Sequence, residues 1–318
     1  MGKLCRAVVL LVGASIGAGG ISAQSNASAN GSSSSVTTVD SSTTPIAAEK
    51  SVDRYLWTES FSGSSNSAAS VMSLDSTVGY VFSPKLGVDA GIPIYFVRGN
   101  YVTSTGTTQN TSANGLGDLY AQIRVSMPSE FVNYKMVLTG SAPTGDSATG
   151  LSTGHATYDW TNHLDHSLGQ LTPFFEVGIG NSIPSALAFN RPYQTYGHEA
   201  HIQGGAAYQV ANYLTVGASG YAIAPWGTQT LTSRVVGPSG PRPGNGGNGH
   251  APVFATNNQT TGTSSLADDN GIGIDANVSP TPVLSFSVGY SRSFHLDLNT
   301  VSFGIGVNVS RILRNARR

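Results

Sequence analysis

The chain has little charge, almost no cysteine and no long apolar run. Charged residues make up 10% of its 318 positions, against about 25% in soluble domains. A net charge of -1 offers no basic surface for nucleic acid. The one cysteine, Cys5, lies in an N-terminal segment that reads as a cleaved signal. The mature chain would then have no disulfide, thiol nucleophile or thiolate metal site. Nor does it hold an apolar stretch near the roughly 20 residues of a membrane-spanning helix. Nucleic-acid binders and helical membrane proteins are set aside; a chain that crosses a membrane in strands is not.

What is plentiful is glycine, at 39 residues, together with Ser, Thr, Asn and a period-two pattern. Leu119, Ala121, Ile123, Val125 and Met127 alternate with Asp118, Tyr120, Gln122, Arg124 and Ser126. Successive side chains of a strand point to opposite faces, so this segment has one apolar and one polar face. The pattern recurs along the chain and predicts an all-β fold, a transmembrane antiparallel β-barrel of about twelve strands. A soluble β-sandwich shares the alternation but has no reason to sort its loops by length.

Lys3 and Arg6, the apolar core beginning at Ala7 and the small residues Ser22 and Ala23 predict a signal peptide over 1-23. Residues 24-51 are Ser/Thr-rich, bury too little to offset chain entropy, and are expected to be a disordered periplasmic segment. The barrel is expected over 52-313, followed by a basic tail at 314-318. Short turns at Ser83-Pro84-Lys85, Met127-Pro128-Ser129, Ala211-Asn212 and Ser279-Pro280-Thr281-Pro282 alternate with long connections. The long ones are Gly99 to Asn114, Ala142 to His155, Ser182 to Thr195 and Gly227 to Asn270. In outer-membrane barrels the turns are short on the periplasmic side and the loops long outside, and an even strand number leaves both termini in the periplasm.

Gly115, Gly117 and Asp118 open one strand; Pro143, Gly145 and Asp146, then Leu151-Ser152-Thr153-Gly154 and Asp159, follow the next. Upstream, Ile92-Pro93-Ile94-Tyr95 ends a strand. Their order resembles the bacterial outer-membrane transporter family labelled as the MetA pathway of phenol degradation, over roughly Leu86 to Leu313. The resemblance implies a porin-like barrel for passive uptake of small solutes, aromatic compounds among them, without a cofactor.

If the apolar parity faces lipid, Asp75, Asp89, Asp118, Glu176, Glu199, His201 and Asp275 point into the lumen against Arg124 and Lys135. The expected interior is net acidic, either an open cation-favouring pore or a plugged lumen in which these charges pair. Tyr95, Tyr120, Phe174, Tyr213 and Tyr221 carry lumenal parity too, either to stack with a solute or to pack. Gly117-Asp118 and Pro143-Thr144-Gly145-Asp146 read first as turn chemistry. His198-Glu199-Ala200-His201 is one residue short of His-Glu-x-x-His and on a strand splits its histidines between faces, so no metal site is expected. His155, His163 and His166 read as polar rim residues. The outer-membrane phospholipases, barrels of similar strand number, carry Ser two positions after His on one strand face, where the histidine can take the serine's proton; none of the seven histidines has Ser there, so no enzyme is expected. The partners expected are outer-membrane lipid, a small-molecule solute and the barrel-assembly machinery. The alternative is a closed barrel whose long loops bind a partner or ligand.

Overall fold

The computed structural model describes residues 54-102, 108-183, 190-235 and 258-316. The expected signal and Ser/Thr-rich segment lie outside them. Among the described residues there are sixteen strands: β1 (Tyr55–Ser65), β2 (Ala69–Ser83), β3 (Leu86–Val102), β4 (Thr108–Leu116), β5 (Leu119–Met127), β6 (Asn133–Ala142), β7 (Thr157–Asp165), β8 (Leu171–Gly180), β9 (Tyr193–Tyr196), β10 (Glu199–Ala211), β11 (Leu214–Pro225), β12 (Gln229–Ser233), β13 (Gln259–Gly262), β14 (Asp269–Thr281), β15 (Leu284–Ser293) and β16 (Leu298–Asn308).

All but β9, β12 and β13 belong to one antiparallel sheet, which closes on itself where β1 pairs with β16, Phe61 opposite Ile305. β4 and β5 are two halves of one wall strand. β3 pairs with β5 through Gly91 and with β4 from Ile94 onward, the break falling at Gly117 and Asp118. Gly117 is needed there, because a β-carbon would run into the Tyr95 ring and Pro93. Counted so, the wall has twelve strands and no free edge, as strands in hydrocarbon require.

The outer face is apolar all round. Ile123, Leu138, Phe175, Ile202, Val216, Ile274, Val288 and Val301 are all exposed, an arrangement that only a lipid surround makes favourable. Tyr55, Tyr80 and Phe82 cluster at the turn end, with ring centroids 5.2 and 4.9 Å apart, where interfacial rings belong. One carboxylate breaks the pattern. Glu59 has the outward parity of β1, and its Oε1 accepts hydrogen bonds from Trp57 Nε1 and Ser76 Oγ, both at 2.7 Å.

Three expectations are corrected. Gly99 to Asn114 is not chiefly a loop, since β3 and β4 continue through it as a hairpin. The connections Asn66 to Ala68 and Phe294 to Asp297 lie at the loop end yet are short, so loop length does not alternate throughout. The final strand stops at Asn308, short of the expected end of the barrel at 313. Asn308 Oδ1 accepts from the Arg311 amide at 3.0 Å and caps helix α1 (Val309–Asn315), which places Arg314 in a helix.

Candidate functional site: the barrel interior and its plug

The inward parity of the wall carries the buried polar residues. Asp75, Asp89, Glu176, Glu199, His201 and Asp269 are buried there, with Asp159, His163, Asp165 and Asp275 at the same parity. Arg124 pairs with Asp89 across β5 and β3. Lys135 Nζ lies 3.6 Å from Asp165 Oδ1. Acids outnumber bases along this wall, and a low-dielectric enclosure strengthens the field they make.

Across β7, β8 and β10 the titratable groups form one ribbon. His163 sits between two carboxylates, its Nε2 3.3 Å from Asp165 Oδ1 and its Nδ1 3.4 Å from Glu176 Oε2. Its ring stacks on Phe174 at 5.7 Å. Further toward the loop end, His201 Nε2 meets Thr161 Oγ1 at 3.1 Å, and Thr161 donates to Asp159 Oδ2 at 2.6 Å. Glycine makes this ribbon possible. A β-carbon on Gly178 would collide with the His201 ring, and one on Gly180 would crowd Asp159, so side chains from β7 and β10 meet over a bare β8. Glu199 follows on β10, fully buried, with neither carboxylate oxygen hydrogen-bonded among the described residues.

The mouth is filled by the loops themselves. β9, β12 and β13 make a three-stranded sheet from the β8–β10 and β11–β14 connections. Tyr193, Leu231 and Val235 of these loops, with Leu151 of the β6–β7 loop, share one apolar cluster with Val71, Tyr95, Val97 and Leu298 of the wall. Polar contacts seat the same unit. Asn190 Nδ2 donates to Ser62 Oγ at 3.1 Å and its carbonyl accepts from Ser64. The Arg234 guanidinium lies 4.1 Å from the centre of the Tyr95 ring and donates to the Gly150 and Arg191 carbonyls. Arg191 reaches Asp269 on β14 at 3.4 Å. Burial opposes its charge, yet the groups around it, Asp269 among them, outweigh burial and hold the guanidinium pKa above its ordinary value. Burial likewise pushes the Tyr193 phenol up.

Set against the expectations, Asp75, Asp89, Arg124, Lys135, Glu176, Glu199, His201 and Asp275 are all on the inward parity. Asp118 is not a wall charge. It lies between β4 and β5, and its Oδ1 accepts from the Gly145 amide at 3.0 Å. Gly115, Gly117, Pro143, Gly145 and Asp146 likewise shape this strand entry and turn, with Asp146 Oδ1 accepting from Ala148 N. Tyr95, Tyr120, Phe174 and Tyr221 are inward and buried. Tyr120 donates to Asp75 at 2.7 Å and Tyr221 to Asp269 at 3.0 Å, so these rings are also wall structure. Tyr213 is corrected, because it falls in the two-residue turn after β10, exposed and off the inner face. His163 is corrected from rim to wall. His155, stacked on Tyr196 at 4.3 Å, and His166, in the β7–β8 turn, are peripheral. His198 stacks on Trp226 outside while His201 points in, and no group of three metal-ligating residues occurs among the described residues.

Sequence reasoning missed Asp159, His163, Asp165, Asp269, Arg191 and Arg234 as interior charges. For the β7 trio a signal existed, since Thr157, Asp159, Thr161, His163 and Asp165 recur at every second position between Tyr158, Trp160 and Leu164.

These features define a membrane-spanning barrel with an acidic inner wall and a mouth occupied by its own loops. No family model matches the chain and no curated protein does. Among solved structures it is similar to an outer membrane channel from Pseudomonas putida F1, at 10% identity over 80% of this chain and 94% of that one, with a TM-score of 0.48. It is also similar to the KdgM porin crystallised with a disordered oligogalacturonate (5% identity, 79% of this chain and 98% of that one, TM-score 0.42). A third is the Pseudomonas putida toluene transporter TodX (10% identity, 81% and 89%, TM-score 0.39).

Proposed function

We propose that this chain is an outer-membrane, porin-like channel for passive passage of small solutes, selective for cations. Its turn end and both termini would face the periplasm and its plugged mouth the outside. The observation that carries this reading is the acidic inner wall of a closed barrel, where Asp75, Asp159, Glu176, Glu199 and Asp275 exceed the basic side chains they face. Such a wall concentrates cations and repels anions. The resemblance to the phenol-degradation family adds small organic solutes, aromatic ones included, to those it would admit. The solute gradient is the driving force, and no cofactor is called for. Outer-membrane lipid and the barrel-assembly machinery are the partners of such a chain.

Refolded, heat-modifiable protein in a planar bilayer under a salt gradient tests the reading. Discrete conductance steps with a cation-selective reversal potential are expected. A folded barrel that stays silent in every salt would refute it. Silence would favour the second reading, a closed barrel whose loops bind a ligand, which the apolar packing of Leu231 and Tyr193 against the wall supports.

A further inference from the structure

The helix α1 carries its apolar residues on the wrong side for a helix in water. Val309, Ile312, Leu313 and Ala316 recur at the i, i+3, i+4 and i+7 spacing of one helical stripe, and Ser310, Arg311 and Arg314 fall on the other side. A helix packed on a protein in water covers its apolar stripe. Here Ile312 and Leu313 are 43% and 47% exposed, while Ser310, Arg311 and Arg314 are half-buried. The side of α1 turned away from the protein is therefore its apolar side.

The place of α1 in the fold says what that side meets. β16 ends with Asn308 opposite Thr58, and the Asn308 amide donates to the Val283 carbonyl of the β14–β15 turn at 2.8 Å. The helix thus starts at the turn end of the wall. Tyr55, Leu56 and Trp57 run on past the last β16 pair, and α1 packs beside β1. Tyr55 and Trp57 have the outward parity and are exposed, as are Phe82 and Leu86 around the β2–β3 turn. The stripe of α1 continues the apolar band that the wall presents to lipid.

Cations collect at the same level. Arg54 precedes β1, its carbonyl accepting from the Val81 amide at 2.7 Å, and Lys85 lies in the β2–β3 turn; both are exposed. Neither of these side chains nor that of Arg311 is in an ion pair among the described residues. The one acidic residue of β1, Glu59, is held instead by Trp57 and Ser76. Apolar side chains with cations just beyond them match the boundary of a bilayer, acyl chain on one side and phosphate on the other. Long basic side chains reach phosphate while their stems stay in apolar surroundings.

We propose that α1 lies in the membrane interface at the turn end of the barrel, and that Arg54, Lys85 and Arg311 bind the phosphate groups of anionic phospholipid there. This goes beyond lipid as a general surround, since it assigns a lipid class and the residues that select it. It rests on the membrane reading for the leaflet concerned, the periplasmic one.

The test uses the full chain refolded into vesicles of mixed phosphatidylcholine and phosphatidylglycerol. A nitroxide on Leu313→Cys, in a chain that also carries Cys5→Ser, should collide with oxygen, which concentrates in hydrocarbon, more than with a water-soluble nickel chelate. The same label on Phe82→Cys marks the wall's own apolar band. Oxygen preference at position 82 with nickel preference at 313 overturns the proposal and spares the barrel; nickel preference at both overturns both. A label at 313 shielded from both reagents means that a second copy or another protein covers α1, and overturns it too.

Spin-labelled lipids read the headgroup. Phosphatidylglycerol should associate with the unmodified protein at least about fivefold more strongly than phosphatidylcholine at low salt, the gain of roughly one basic contact, and high salt should shrink the preference. Arg54→Gln, Lys85→Gln and Arg311→Gln together should bring the two lipids level. Equal association with the unmodified protein, or an undiminished preference in a triple variant that is still heat-modifiable, overturns the proposal. Should the triple variant not refold, the unmodified protein decides, because a preference that high salt leaves intact overturns it. A barrel that selects phosphatidylglycerol yet never conducts sinks the channel and leaves this rim standing.

Discussion

Leu231→Ala separates the plug from the wall that holds it. Leu231 is 1% exposed, and its cluster mixes plug residues Tyr193 and Val235 with wall residues Val71, Tyr95, Val97 and Leu298. Truncating a buried leucine costs about 2–5 kcal/mol through lost transfer energy and the cavity left behind. The wall keeps its own ladder of hydrogen bonds, and Leu231 belongs to none of its strands. The cost therefore falls on docking of the plug. With about 1.4 kcal/mol per factor of ten, a loss near 3 kcal/mol raises the undocked population roughly a hundredfold. Hydrogen exchange on refolded protein reads this directly. Amides of β9 and β12 should exchange about two orders of magnitude faster, while those of β6 to β8 stay unchanged and the barrel remains heat-modifiable. In a bilayer the same variant should spend more time in its larger conductance state. Unchanged protection in β12, or equal loss of protection in β6 to β8, would refute the argument that the plug is a separable unit docked by this cluster.

The remaining predictions concern the wall and its turns. Gly91→Ala should lower stability by about 2–5 kcal/mol, read as an earlier urea midpoint. Its β-carbon would displace the Tyr120 ring, adding overpacking to loss of the Tyr120 to Asp75 hydrogen bond. Asp118→Ala should cost about 1 kcal/mol by removing the acceptor of the Gly145 amide and leave the reversal potential where it was. Asp75→Asn with Asp275→Asn should move the reversal potential toward zero under a salt gradient, and an unmoved value would count against an acidic selectivity wall.

How much was legible in the sequence follows from how local each signal is. A strand's inward and outward faces depend on residues two apart, so the inner position of Asp75, Glu176, Glu199 and Asp275 followed from parity alone. The same parity misplaced Tyr213, because alternation ends where the chain leaves the sheet and the turn begins. Asp118 was given two readings, wall charge and turn, and its bond to Gly145, just past the end of the neighbouring strand β6, decided for the turn. The Gly99 to Asn114 stretch read as loop from its Gly, Thr and Asn, yet β3 pairing overrode composition there.

By itself, then, the sequence determined the all-β class, the strand parity, the apolar exterior and the acidic sign of the interior. Each of these depends only on near neighbours and on what a bilayer accepts as a surface. Whether the lumen holds anything was decided by tertiary structure. Leu231 joins the apolar cluster that holds Val71, and Asn190 meets Ser62 and Ser73, across more than a hundred residues. Arg191 finds Asp269 only once β14 stands beside β11. Such contacts follow from closure of the sheet and from shape, and no period or spacing along the chain encodes them.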